Sequence, residues 1–294
     1  MSDTFTDQRF DVARLAIPDW LLKVEGLGKV YGPFDDAVIN STGSGPETAK
    51  SPLNGSIVAA WDVSFEVAPG EALGIVGESG SGKTTVLRCL AGDVTPSTGA
   101  ATIRLGGSDL NMFAADAAER RRLRVDTVSV VYQDPSEGLK MNVTAGGNIA
   151  EPLTAAGWRN FAKIRMRASD LLSRTEVPLN RMDDLVRAFS GGMRQRVQIA
   201  KALANSPSVV LFDEPTTGLD ASVAAGVLDL IRSLLEENRI AAVVVSHDFS
   251  VIEMLTSRCL VMHHGRIVES ALTDQLLEDP HHSYTQRLVA AARS

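Results

Sequence analysis

The sequence predicts an α/β protein with one core, a parallel sheet covered on both faces, interrupted by a helical insert. Two observations carry this. Short, continuous apolar runs recur at 72–76, 209–212 and 240–245, the pattern of strands buried on both sides. Helical patterns separate them at 84–91, 223–235 and 251–255, and a mostly helical stretch occupies about 134–203.

Taken in order, residues 1–19 show no periodicity and read as a mobile tail. Leu22, Val24 and Leu27 open a strand-like segment that runs to Tyr31. Residues 32–56, rich in Gly, Ser, Pro and Asn, read as an insertion loop with little core-forming content. Val63, Phe65 and Val67 alternate with polar positions and predict a half-exposed strand ending at the Pro69-Gly70 turn. The run 72–76 then leads through glycines into the helix at 84–91. Further on, Met193, Val197, Ala200 and Ala204 recur at helical spacing, with Arg194 and Lys201 off that stripe. The strands at 209–212, 240–245 and 260–262 follow. The expected division is a first part of the core at 20–133, a helical subdomain at 134–205, a second part at 206–272 and a C-terminal helical extension at 273–294.

Composition sets bounds. The chain has 294 residues, 44% of them hydrophobic, enough for a large α/β core with an inserted subdomain. No apolar run approaches the roughly 18 residues a membrane helix needs, so no direct membrane insertion is expected. The acidic, polar start is unlike a signal peptide, and two cysteines, Cys89 and Cys259, imply no disulfide framework; a cytoplasmic location is the expectation. A net charge of −7 argues against general affinity for nucleic acid, and the cluster Arg120-Arg121-Arg122-Leu123-Arg124 reads first as a solvated helix face.

Three segments carry chemistry. Gly77-Glu78-Ser79-Gly80-Ser81-Gly82-Lys83-Thr84, followed by Thr85, fits G-x-x-x-x-G-K-S/T between a strand and a helix. Glycines let successive N–H groups converge on phosphate oxygens at a helix N-terminus. Lys83 neutralises the β- and γ-phosphates, and Thr84 offers a hydroxyl to Mg²⁺. The purely structural alternative is a glycine-rich turn. Val209-Val210-Leu211-Phe212-Asp213-Glu214 is an apolar strand ending in two carboxylates at the edge where α/β sheets hold ligands. Asp213 is a candidate to hold Mg²⁺ and Glu214 to polarise an attacking water; alone, the pattern also describes a strand followed by a solvated loop. Ser190-Gly191-Gly192-Met193-Arg194-Gln195 opens a helix, offering a second anion site or an ordinary serine cap.

With these residues in hand, the chain resembles the ATP-binding cassette (ABC) ATPases over about residues 20–270. Phe189-Ser190-Gly191-Gly192-Met193 is similar to that family's signature, with Met193 where Gln is commoner. The resemblance implies an ABC nucleotide-binding domain: a RecA-like parallel-sheet core, an antiparallel β subdomain and an inserted α-helical subdomain. It further implies ATP and Mg²⁺ as ligands, and a head-to-tail dimer with each ATP between one protomer's phosphate loop and the other's signature. Gln133 resembles the glutamine that senses Mg²⁺ and the γ-phosphate, Gly218-Leu219-Asp220 the D-loop, and His247 the switch histidine. Tyr31 is similar to the aromatic that stacks on adenine. His263, His264, His281 and His282 have no such support and read as surface residues.

Two partners compete. Asp279-Pro280-His281-His282-Ser283-Tyr284-Thr285 resembles a C-terminal element of oligopeptide- and nickel-type importer subunits, which dock on membrane permeases; Ser283 stands where Pro is usual. The stretch Asp134–Ile149, however, lacks the Ser-Leu-Asn-Pro type of sequence common in peptide importers. Its run Val143–Ile149, with Asn180–Leu185 and Val268–Gln275, resembles the K-type ATP-binding subunit of the bacterial carbon–phosphorus lyase complex. That likeness implies docking on the soluble lyase core and support of phosphonate catabolism, with the cleavage itself left to a radical iron–sulfur partner. The tail and the 32–56 insertion depart from that pattern. DNA-repair and translation-factor ATPases usually add a coiled coil or a second cassette; this chain has one cassette and no heptad run.

Overall fold

Alternation within single strands explains how one sheet serves two cores. The computed structural model describes residues 20–105 and 108–293; the tail expected at 1–19 lies outside the described residues. In β7 (Val209–Asp213), Val209 and Leu211 enter one apolar cluster while Val210 and Phe212 enter another. In β8 (Ala241–Ser246), Val243 and Val245 point to the first, Ala242 and Val244 to the second. Successive side chains of a strand face opposite ways, so a continuous apolar run fits only a sheet buried on both faces. Each such Val or Leu stabilises the fold by about 1.5–3 kcal/mol relative to exposure.

This sheet has six strands in the order β10-β9-β3-β8-β7-β6. They are β3 (Ala72–Val76), β6 (Val128–Val131), β7, β8, β9 (Arg258–His263) and β10 (Arg266–Leu272). All neighbours are parallel except β10, which pairs antiparallel with β9 at the edge. The first cluster lies between this sheet, α2 (Lys83–Leu90) and a four-stranded antiparallel sheet, β2-β1-β4-β5. Its strands are β1 (Leu22–Tyr31), β2 (Ile57–Val67), β4 (Thr98–Leu105) and β5 (Ser108–Asn111). The second cluster is closed by α5 (Ala145–Ala155), α6 (Phe161–Arg174), α7 (Gly191–Ala202), α8 (Ala221–Asn238) and α9 (Phe249–Leu255). The chain ends in α10 (Thr273–Glu278) and α11 (Ser283–Ala292).

Most of the expected strands and helices form within three residues of their predicted ends; β2 begins at Ile57, six residues ahead of the alternating 63–67 segment, and two further stretches differ in character. The 32–56 stretch is more than a loop. It contains α1 (Asp36–Asn40), capped by Asp35, whose carboxylate accepts the Val38 N–H at 2.9 Å. Val38 and Ile39 are buried against Val30 and Val58. Two apolar side chains suffice because β1 and β2 leave an uncovered apolar spot there. The basic cluster also splits. α3 (Ala117–Arg122) buries none of its residues, but Leu123 is buried and Arg124 reaches the Ala91 carbonyl and the Asp93 carboxylate.

Between α4 (Pro135–Gly138) and α5 the chain is organised by one buried amide. Asn148 is fully buried; its Oδ1 accepts the Lys140 N–H, and its Nδ2 donates to the carbonyls of Lys140, Val143 and Thr144. Every polar atom of the amide is satisfied, so its hydrogen bonds offset the cost of burial and one loop conformation is selected.

Candidate nucleotide site

The glycine loop joins the end of β3 to α2, and its glycines are required by space. A Cβ on Gly82, whose φ is 106°, would lie 1.9 Å from the Ala59 carbonyl oxygen, and one on Gly77 2.2 Å from that of Met262. No side chain caps α2, so the first N–H groups of the helix face the open cleft. Lys83 is 4% exposed. Its ammonium donates to the carbonyls of Gly77 (2.7 Å) and Glu78 (2.9 Å), and burial lowers its pKa against the pull of Glu214 and Asp213. The loop thus carries a dehydrated cation that any closer, stronger anion can recruit.

Asp213 and Glu214 leave the end of β7 in different environments. Asp213 is 2% exposed and accepts the Thr84 hydroxyl at 3.0 Å; burial raises its pKa. Glu214 turns out of the strand with φ 46°, its N–H bonded to the Val245 carbonyl. The turn aims the carboxylate into the cleft, where one oxygen meets His247 Nδ1 at 2.9 Å, the Thr217 hydroxyl at 2.8 Å and Gln133 Nε2 at 3.5 Å. Three strand ends therefore deliver Gln133, Glu214 and His247 to one point. Thr217 had no separate signal in the sequence.

The cleft has a volume of about 590 Å³. Besides the glycine loop with Thr84 and Thr85, and the Gln133–Glu214–His247 group, its walls include Ala49, Ile57, Ala59 and Leu288. None of these four was legible in the sequence, because they come from the insertion, β2 and α11. Tyr31 does not line the cleft. It is 46% exposed with the Lys29 ammonium 4.9 Å from its ring, while its cross-strand partner Ile57 forms the wall.

Ser190, Gly191 and Gly192 also stand outside the cleft of their own chain. Ser190 caps α7, its hydroxyl accepting the Met193 N–H at 3.3 Å. A Cβ on Gly192 would lie 2.4 Å from Val223 at the start of α8. Ser190 and Gly191 are exposed, so the second predicted anion site faces outward.

One histidine needs correction. His263, expected at the surface, is 9% exposed and stacks on Tyr284 with ring centroids 3.8 Å apart. It ends β9 beneath α11, and burial lowers its pKa, with His264 adding to the effect. His281 is exposed, as read from the sequence.

Comparisons with known proteins agree with this geometry. The family model described as ABC transporter matches residues 61–217. The putative phosphonates utilization ATP-binding protein PhnK of Escherichia coli K12 is 50% identical over 230 residues, 78% of this chain and 90% of that protein. A putative peptide import ATP-binding protein of Brucella abortus 2308 is 37% identical over 241 residues, 81% of this chain and 72% of that protein. Among solved structures, the dimeric ATP-binding cassette MJ0796 in a post-hydrolysis state bound to ADP and Pi superposes with a TM-score of 0.71 at 27% identity, covering 86% of this chain and 99% of that one. A cassette of Clostridium perfringens, cbiO1, shares the fold with a TM-score of 0.70 at 22% identity, covering 89% and 92%. A glycine loop at a helix start, a carboxylate pair at a strand end and an outward signature, carried on this fold, identify the chain as a member of the ABC transporter family, an ATP-binding cassette that binds and hydrolyses ATP.

Proposed function

We propose that this chain is the ATPase subunit of a cytoplasmic phosphonate-degrading assembly, docking on a carbon–phosphorus lyase core and working as a sandwich dimer. The observation that carries this is the 50% identity to the phosphonates utilization protein, against 37% for the peptide import relative over a similar span. Among the described residues no helix is long and apolar enough to cross a membrane.

In the proposed site Lys83 exchanges the Gly77 and Glu78 carbonyls for the β- and γ-phosphates of ATP. The amides from Ser79 to Thr85 hold phosphate oxygens at the start of α2. Ile57 and Ala49 flank the base end, with Tyr31 beside them. Ser190 and Gly192 of a second protomer close on the γ-phosphate. Glu214 takes a proton from water as the water oxygen bonds to the γ-phosphorus, and the β,γ-bridging oxygen leaves with ADP. His247, Gln133 and Thr217 hold Glu214 in line through the contacts given above.

The donor set fits Mg²⁺. A buried carboxylate, Asp213, accepts the Thr84 hydroxyl, and Gln133 lines the same cleft as Thr84; such oxygens suit a hard cation that takes its remaining ligands from water and phosphate. When bound there by Thr84, Asp213 and Gln133, the ion would neutralise charge on the triphosphate.

Affinity purification of the tagged chain from its native cell tests the assignment. Recovery of phosphonate-degrading subunits supports it. Recovery of membrane permeases instead would favour the importer reading, to which the peptide import relative and the Asp279–Thr285 element lend support.

A further inference from the structure

The Asp279–Thr285 element has a place in the fold that the ATPase reading leaves unused. The Glu269 carboxylate of β10 accepts the N–H groups of His281 (2.7 Å) and His282 (3.0 Å), pinning the turn before α11. The His282 ring accepts the Tyr284 N–H at 3.2 Å and caps the helix. So mounted, Tyr284 is 3% exposed, its ring on His263 and its hydroxyl accepting the Glu78 N–H at 3.0 Å. One turn later Leu288 lines the cleft. His263 in turn meets the Ser44 hydroxyl of the insertion at 3.3 Å.

The Gly77–Glu78 peptide is therefore gripped at both edges. Its carbonyl oxygen accepts from Lys83, and its N–H donates to Tyr284. Lys83 must leave that carbonyl to reach a triphosphate. The peptide then keeps one holder, which comes from the C-terminal helix.

We propose that Tyr284 is a positioning residue for the phosphate loop: its hydroxyl holds the Gly77–Glu78 peptide when Lys83 moves onto the nucleotide, making α11 part of the ATP site. A loop kept in its nucleotide-ready shape pays no ordering entropy on binding, so the effect falls on affinity. Displacement of α11 by a docked partner would weaken nucleotide binding by the same route.

The inference rests on Gly77–Thr84 holding the phosphates, and Lys83→Ala tests that separately. Tyr284→Phe keeps the stack on His263 and removes only the hydroxyl. Its ATP dissociation constant, measured by fluorescence with an N-methylanthraniloyl ATP analogue, and its KM for ATP should both rise about three- to tenfold, the loss of one buried hydrogen bond. Its kcat should change less than twofold, and its melting curve should overlay the native one within a few degrees. Native affinity in Tyr284→Phe alongside weakened binding in Lys83→Ala would overturn the inference and leave the site intact. A fall in kcat at unchanged KM would also overturn it. Native affinity in Lys83→Ala would remove the phosphate-loop reading itself. Tyr284→Trp also keeps a ring on His263 and offers no acceptor to the Glu78 N–H, so it should behave as Tyr284→Phe; native affinity there would overturn the inference.

Discussion

The glycine-loop half and the signature half of this molecule answer to different partners. In the first, polar groups close on each other within the chain: Lys83 on loop carbonyls, Thr84 on Asp213, and Gln133, Thr217 and His247 on Glu214. In the second, Ser190 uses its hydroxyl to cap its own helix, and the exposed Ser190 and Gly191 turn away from the cleft. One half turns its polar groups inward on a cleft; the other turns a helix start outward. The proposed sandwich would bring the outward helix start of one copy against the cleft of the other, while Gly192 is the point where α7 packs tightly on α8 within the chain.

Substitutions can break the comparison at either half, and the largest effect belongs to the first. Glu214→Gln removes the proposed proton acceptor and keeps the shape. Turnover should fall about a thousandfold, while ATP still binds and dimers accumulate by light scattering. Unchanged turnover would take Glu214 out of its role.

Ser190→Asp probes the lid without unmaking its helix, because Asp caps as well as Ser. A carboxylate facing the partner's γ-phosphate should lower turnover at least about a hundredfold through like-charge repulsion. Nucleotide affinity of the isolated chain should stay within a factor of two of the native value, since Ser190 lies outside its own cleft. Loss of affinity in that monomer assay would place the signature in its own chain's site.

Lys83→Ala should weaken ATP binding about thirtyfold or more, the loss of charge-assisted bonds to phosphate. Equilibrium binding reads this directly.

The smallest effect concerns the hinge between insertion and C-terminal helix. Burial holds the folded-state pKa of His263 below its ordinary value, so below about pH 6.5 the unfolded chain takes up the proton more readily. Stability from this group is full above the unfolded pKa and is lost as pH falls toward the folded one. The melting temperature should therefore decline between pH 7.5 and 5.5, and less steeply in His263→Phe, which retains a ring beneath Tyr284. Equal slopes would mean that His263 does not titrate between the two states.

The same two halves differ in how far the sequence exposed them. Doubly buried strands such as Val209–Asp213 and Ala241–Ser246 print an unbroken apolar run, and the phosphate loop is one contiguous segment, so both were legible. Glu214 and Lys83 were legible as residues, but not the hydrogen bonds that hold them. β5 and α1 carry little signal because they are short, and α1 needs only Val38 and Ile39 to anchor it; β4 is eight residues long but buries only Ala101 and Ile103, so it prints no apolar run. Leu288, Ile57 and Ala49 reach the cleft through packing of segments far apart in sequence, which no local pattern encodes. His263 reads as a surface residue for a related reason: its burial depends on α11 crossing above it, about twenty residues later.

Mixing two impaired variants tests the shared site most directly. A dimer of Lys83→Ala with Ser190→Asp contains one site with both defects and one with a native loop and a native signature. Shared sites predict that ATPase activity, low in each variant alone at an ATP concentration below the weakened dissociation constant of Lys83→Ala, rises on mixing. A mixture as inactive as its components, under conditions where the mixed dimer is shown to form, would contradict the account.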